Sequence, residues 1–275
     1  MDTQIILIYC LCDDLLKAMR HHEDGRCRMR DAEVMTVAIV AALYFRGNFA
    51  LTGRMLSEQG YLAFVLGKSR FSRRLHRIKP CFLTLFTLLG EHFKEMNEES
   101  VYVIDTFPIA ACDNYRIPRS KRYRGEAYRG YQPSKKRYFY GLKLHLLVTP
   151  QAQPVEFFLT PGSVGDVEGL DFFDFDLPQH SQIIGDKAYN NYELEDVLTE
   201  ADLHLLPIRK HNSKRSLPPW MRYLQAYFRK AVETTGSLLE RLLPKSIHAV
   251  TAEGFELKLV LFVLALCISR VSLYN

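Results

Sequence analysis

Around residue 98 the hydrophobic rhythm of this chain changes, and that change limits the folds open to it. Before it, apolar residues recur at three- and four-residue spacing, as in Val34, Val37, Ala38, Ala41 and Leu43 after the acidic first turn Arg30-Asp31-Ala32-Glu33. That is the period of a helix with a buried stripe. After Asn97-Glu98-Glu99-Ser100 the apolar residues fall into short β-prone runs. Val101-Tyr102-Val103-Ile104 predicts a buried strand followed at once by Asp105. Tyr138 to Thr149 (YFYGLKLHLLVT) predicts a second strand and Gln153 to Thr160 (QPVEFFLT) a third, joined by the turn-like Thr149-Pro150-Gln151-Ala152. The three form a meander.

The remaining elements alternate. Asp166 to Phe175 predicts a helix, Gln182-Ile183-Ile184 a fourth strand ending in Gly185-Asp186, Asn191 to Glu200 a helix, and Leu203 to Ile208 a fifth strand. From Trp220 the chain is helical, weakened at Gly236 and ended by Pro244, and a last helix spans about Phe255 to Ser272. On the N-terminal side Gly47-Asn48 stops the first well-marked helix, with further helices predicted over Thr52 to Leu66 and Ser69 to Leu89. Three strands, then helix and strand in alternation, then helices is the element order of an RNase H-like α/β domain, a mixed sheet flanked by helices. With 275 residues the expected division is a helical N-terminal domain over residues 1–98 and the α/β domain over 99–275.

The charge is unevenly placed. The formal net charge is +5, yet Arg116 to Lys143 holds a single acid, Glu126, and Lys68 to Lys79 (KSRFSRRLHRIK) holds none. A third basic stretch runs from Arg209 through Lys230. Three such surfaces point to a polyanionic partner. Cys10, Cys12, Cys27, Cys81, Cys112 and Cys267 show no paired spacing, which argues against a zinc ribbon or a secreted disulfide scaffold and fits a cytoplasmic protein. His21, His22 and Cys27 enclose Glu23-Asp24-Gly25-Arg26, read as a polar helix end and turn. The apolar run Gln4 to Leu11 lacks the basic leader of a signal peptide. Leu259 to Ser269 is shorter than a bilayer span and reads as a buried core helix. No membrane association is expected.

In a sheet of this kind the first and fourth strands lie side by side, which would place Asp105 and Asp186 together at the sheet edge, while Glu233 approaches from a later helix. Three carboxylates without His or Cys make a hard oxygen site suited to Mg²⁺ or Mn²⁺. Two such ions ~3.5 to 4 Å apart serve in-line displacement at a phosphodiester. Each acid also has a plainer reading. Asp105 would form a turn before Thr106-Phe107-Pro108, Asp186 would cap a helix after Gly185, and Glu233 would be an exposed helix glutamate. An acid directly after an apolar strand is costly to bury unless paired or metal-bound, which favours the first reading. Asp166 in GSVGD is read as a helix N-cap.

The blocks VIDTFPIA around Asp105, YGLKLHLLVTPQAQPVEFFLTPGSVGD from Tyr140 to Asp166, IIGDKAYNN around Asp186, LPIRKHN from Leu206 and FRKAVETTGSLLERL around Glu233 together resemble bacterial insertion-sequence transposases of the DDE type. The likeness covers roughly Val101 to Ser272. It implies that Asp105, Asp186 and Glu233 correspond to the family's catalytic and metal-binding triad, and that the chain cuts DNA at insertion-sequence ends and joins 3′-hydroxyls to target DNA. By the same resemblance the partners are double-stranded terminal inverted repeats and target DNA, with a homodimer forming on the DNA in the bacterial cytoplasm, at the nucleoid. Such enzymes often place Tyr, Arg, Glu and Lys at fixed spacing about the glutamate. Here Arg229 matches, whereas Ala226 takes the Tyr position and Glu240 the Lys position, so Glu240 competes as third acid. The same residues also suit a metal-dependent nuclease that never joins strands, or an inactive DNA-binding regulator.

Expected phosphate contacts are Arg70, Arg73, Arg74 and Arg77 on an N-terminal helix, Lys135, Lys136 and Arg137 before the second strand, and Lys187, Arg209, Lys210, Lys214 and Arg229. The plainer reading of each is solvated surface charge. Tyr115, Tyr123, Tyr128 and Tyr131 punctuate the long connection Asp113 to Arg137 and are suited either to stacking on unpaired bases or to anchoring it. A connection of this length is expected to be mobile without DNA.

Overall fold

The computed structural model describes residues 1–271. They form two compact units, one made of Met1–Leu88 together with the chain from Leu239 onward, the other of Leu89–Leu238. The packing units thus divide the chain differently from a single cut at 98 and 99.

The first unit is all helical. It contains α1 (Asp2–Ala18), α2 (Asp31–Tyr44), α3 (Phe49–Glu58), α4 (Lys68–Arg77), the start of α5 (Lys79–Glu95), the end of α8 (Met221–Leu242), and α9 (Ala252–Arg270). α2 and α9 pack against each other and are buried nearly all round, from Ala32 to Ala42 and from Phe255 to Ile268. Both are too apolar to leave a face to water, so each covers the other, and α1, α3 and α4 cover α2. This is why the C-terminal helix folds with the N-terminal ones. Gly47, at φ +77°, reverses the chain after α2 in a conformation that suits glycine, and the Asn48 side chain then caps α3 by accepting from Leu51 N. The helix expected over Thr52 to Leu66 ends at Glu58, before Gly60 at φ +80°. The one expected over Ser69 to Leu89 breaks at Ile78, because Pro80 has no N–H to continue it and starts α5 instead. Among the described residues no single helix is long and apolar enough to cross a membrane, although α2 and α3, bent by 109°, pass together on length and composition.

The second unit is built on a six-stranded sheet. Its strands are β1 (Val101–Cys112), β2 (Arg129–Gln132), β3 (Arg137–Val148), β4 (Pro154–Pro161), β5 (Gln182–Gly185) and β6 (His204–Pro207). The order is β2-β3-β1-β5-β6, and β4 pairs with β3 further along the edge that β2 begins. β1, β3 and β4 are an antiparallel meander, while β5 and β6 run parallel to β1. With α6 (Asp166–Gly169), α7 (Tyr192–Glu200) and α8 beside it, this is an RNase H-like mixed sheet.

Three departures from the sequence reading have physical causes. β1 does not stop at Ile104 but continues for twelve residues, since β3 offers an equally long partner up to Tyr140 opposite Cys112. Pro108 is tolerated because beyond Val103 the β5 side of β1 is unpaired. The helix expected over Asp166 to Phe175 is α-helical only to Gly169 and passes into a 3₁₀ turn, Leu170–Phe172, after which the chain is extended; Leu170, Phe173 and Phe175 are buried. The connection from Asp113 to Arg137 carries its own structure, three 3₁₀ turns and β2. It is tied down by buried Tyr123, by Arg122 donating to the Ala111 carbonyl, and by Tyr140 Oη donating to the Gly125 carbonyl (3.1 Å).

Candidate active site

β1 and β5 run in parallel register, Val101 opposite Gln182, Tyr102 opposite Ile183 and Val103 opposite Ile184. The same offset carried two residues further sets Asp105 level with Asp186. Side chains at matching parallel positions share a face, and neighbouring strands lie only ~4.8 Å apart. The two aspartates therefore meet where β5 ends and β1 runs on. Asp105 is half-buried within the strand, not in a turn, and its Oδ1 accepts from Thr106 N (2.8 Å). Burial pushes its carboxyl up to about 6, and the nearby Asp186 adds to the rise while Arg229 opposes it. Asp186 Oδ1 accepts from Ala188 N (2.6 Å) and so caps the 3₁₀ turn Lys187–Tyr189. That cap occupies one carboxylate oxygen only.

Behind Asp105, on the opposite face of β1, lies a polar chain with no counterpart in the sequence reading. Thr106 Oγ1 is 3.1 Å from His145 Nδ1 and 2.8 Å from Tyr189 Oη, and His145 Nε2 is 2.9 Å from Thr160 Oγ1. The register that pairs Thr106 with His145 across β1 and β3 explains the first contact. His145 is fully buried and stacked on Phe158 at 4.5 Å. Burial lowers its imidazole to about 4, with Lys143 lowering and Asp166 opposing. Tyr189 is raised, chiefly by burial and then by Asp105. Asp166 is not an N-cap: it is the first residue of α6, and its carboxylate accepts from Lys143 Nζ (2.9 Å). A buried histidine flanked by β-branched hydroxyls is visible in sequence only once strand register is known.

α8 packs on the Asp105 face. A Cβ on Gly236 would come within 2.8 Å of the Phe107 ring, and Phe107 points the same way as Asp105 by the two-residue strand period. Arg229 acts on the Asp105 carboxylate. Residues 229, 233, 236 and 240 follow one another along one flank of the helix, so Glu233 lies between the turn that reaches Asp105 and the turn that meets Phe107. Its side chain is exposed and has no partner among the described residues. Glu240 falls outside the compact unit that holds both aspartates. Among the described residues no three His, Cys, Asp or Glu side chains are gathered closely enough to hold one ion. The aspartates are brought together and Glu233 stands off from them.

The basic candidates separate into two kinds. Lys187, Lys210, Lys214, Arg229, Lys135, Lys136, Arg137, Arg70 and Arg73 are exposed. Arg209 is not: its guanidinium grips buried Glu195 (Nη2 to Oε2, 2.9 Å), and Arg215 donates to the same carboxylate (3.2 Å). Arg74 is likewise spent inside the helical unit on Asp31, Glu23 and the Met29 carbonyl. Arg77 remains 62% exposed, its nearest contact with Asp31 at 3.5 Å. His21 Nε2 lies 2.9 Å from Asp31 Oδ2.

The second unit is thus an RNase H-like mixed sheet with one aspartate inside its central strand β1 and another just past the end of the neighbouring β5. The family model of the transposase DDE domain matches residues 95–243, more than half of the chain, and the chain belongs to that family. No curated protein matches it. A solved structure described as a cryo-EM structure of piggyBac transposase synaptic complex with hairpin DNA is similar at 10% identity with a TM-score of 0.48, covering 96% of this chain and 72% of that one.

Proposed function

We propose that this transposase cleaves DNA at the ends of an insertion sequence and joins the freed 3′-hydroxyls to target DNA, with Asp105, Asp186 and Glu233 as its catalytic, metal-binding acids. The observation that carries the reading is the nearness of Asp105 on β1 to Asp186, one residue past the end of the adjacent parallel strand β5. Their donors are all oxygen, and burial beside Asp186 raises the Asp105 carboxyl even though Arg229 opposes the rise; both features fit a pair of Mg²⁺ or Mn²⁺ ions. Divalent cations held there supply positive charge to the attacking and leaving oxygens of an in-line displacement at phosphorus.

The chain's own residues do the positioning. Thr106, His145 and Tyr189 hold β1 from behind, so the Asp105 carboxylate is fixed while Glu233, exposed on α8, closes toward it when DNA is bound. Water attacks first, breaking the 3′ P–O bond at the element end and leaving a 3′-hydroxyl. That hydroxyl then attacks a target phosphodiester, whose own 3′ oxygen departs. Both steps break and form one P–O bond, so a site that performs one can perform the other. Residues 1–98 act as the DNA-contacting domain and 99–275 as the catalytic one, with Arg70, Arg73, Arg77, Lys135, Lys136, Arg137, Lys187, Lys210, Lys214 and Arg229 on phosphates. The working form is a homodimer on DNA in the bacterial cytoplasm.

Labelled end DNA incubated with Mg²⁺ tests this. Strand transfer supports the proposal, cleavage alone makes the chain a nuclease, and binding alone makes it a regulator. Asp105→Asn, Asp186→Asn and Glu233→Gln are each expected to abolish both products while DNA binding persists. Full activity in Glu233→Gln with loss in Glu240→Gln would move the third acid to position 240.

A further inference from the structure

Within the helical unit three segments converge on one cavity of about 480 Å³. They are the connection between α1 and α2, the connection between α3 and α4, and α4 itself. Six arginines line the cavity and, among the described residues, no acid does. Its remaining surface is apolar, with Phe64, Leu66 and Cys27. The Arg28 guanidinium lies over the Phe64 ring at 3.9 Å from its centre.

The arginines are not equivalent. Arg74 is anchored behind the cavity by fully buried Asp31 and by Glu23, so its orientation is fixed before any ligand arrives. Arg70, Arg73 and Arg77 share the outer face of α4 at helical spacing. Arg70 and Arg73 are exposed, with no ion pair among the described residues. Their forks are free to take phosphate oxygens in pairs, which a lysine cannot do.

A surface that only tracks a DNA backbone needs cations alone. An open concave site with an aromatic wall asks for a ligand that carries a flat ring as well as an anion, and it has room for one such ligand. We infer that this cavity binds a single nucleotide of a DNA strand, the phosphate held by Arg70 and Arg73 and the base packed against the Arg28–Phe64 pair. Bases stack readily on aromatic rings and on guanidinium planes. The inference rests on the reading of the chain as a DNA-acting protein, and places in the helical unit a pocket for one unstacked nucleotide.

The test uses the full chain and 2-aminopurine deoxyribonucleoside 5′-monophosphate as a fluorescent probe. Saturable quenching is expected, with unlabelled deoxynucleotides competing about tenfold better than either the free nucleoside or inorganic phosphate. Phe64→Ala and Arg70→Glu/Arg73→Glu should each weaken binding about tenfold with unchanged helical circular dichroism, and Lys17→Ala, at an exposed position on α1, should not. Absence of quenching overturns the inference. So does inorganic phosphate competing as well as a nucleotide, or Phe64→Ala binding normally, since either makes the cavity a phosphate patch. Nucleotide binding without strand transfer would sink the proposed reaction and leave the pocket standing, and strand transfer without nucleotide binding would do the reverse.

Discussion

His145 makes the sheet-based unit acid-sensitive by an amount that follows from its surroundings. It is fully buried, stacked on Phe158 and placed between the hydroxyls of Thr106 and Thr160. There its neutral ring donates through one nitrogen and accepts through the other. Burial lowers its imidazole from 6.5 to about 4. A histidine whose folded value lies below its unfolded one binds fewer protons when folded, so its contribution is complete above pH 6.5 and is lost as the pH falls toward 4. About 2.5 units at 1.36 kcal/mol each is about 3 kcal/mol, of which about 2 is gone by pH 5. The measurement is urea unfolding of wild type and His145→Gln at pH 7, 6, 5 and 4. Glutamine keeps a donor and an acceptor but does not titrate, so every other ionisable group cancels in the difference. The variant is expected to be less stable at pH 7 for want of the ring stack, and to lose its disadvantage on acidification. A difference constant to within about 0.5 kcal/mol across the range, the usual limit of additivity, would refute the assignment of His145 as a buried neutral ring.

Asp105 works in the opposite sense. Its carboxyl is raised from 3.8 to about 6, so the folded state keeps a proton that the unfolded state loses, and stability falls as pH rises through that window. In chelator at pH 8, Asp105→Asn is expected to be more stable than wild type by up to about 3 kcal/mol, a gain that disappears below pH 4; Mg²⁺ should raise the melting temperature of wild type and not of the variant. Arg209→Ala is expected to cost about 3 kcal/mol or more, because it strips buried Glu195 of its bidentate partner. Lys210→Ala beside it should leave unfolding unchanged and weaken only DNA binding, with a shallower salt dependence; equal effects of the two substitutions would contradict the division between buried and exposed cations. Gly141→Ala should give little folded protein in a thermal melt, since its Cβ would stand 2.2 Å from the Ile109 carbonyl oxygen, which belongs to the paired backbone and cannot swing away.

The parts of the fold that were legible in the sequence are those set by one element's own pattern. Val101 to Ile104, Tyr138 to Thr149 and Gln182 to Ile184 are each apolar enough to declare a buried strand, and the structure has strands at all three. What depends on a partner was not legible. β1 runs on to Cys112 because β3 is there to pair with it, and β2 exists because Arg137 to Tyr140 offers it an edge. Asp166 to Phe175 carries a helical pattern, yet Phe173 and Phe175 reach the core from extended chain beyond the helical turns. α9 declares its burial by composition, but nothing in its sequence says that the surface burying it belongs to α2.

The same division runs through the site. Asp105 and Asp186 are marked by an acid at the end of an apolar run, a local signal whose cost of burial asks for an explanation. His145 and Thr106 carry no such mark; a single histidine in an apolar strand becomes informative only when the register sets a hydroxyl opposite it. The arginines show the limit from the other side, since Arg74 and Arg209 are as basic in sequence as Arg73 and Lys210 and differ only in having a buried carboxylate within reach. Glu233 is the hardest of the three proposed acids to mark because a helix glutamate costs nothing to expose. What distinguishes it is its flank: Arg229 one turn before answers to Asp105, and Gly236 one turn after leaves room for Phe107, so the helix approaches β1 along the very line on which Glu233 lies. A bulky residue at 236 would push that line away from the sheet, which makes the glycine, and not the glutamate's own surroundings, the feature that ties α8 to the aspartates.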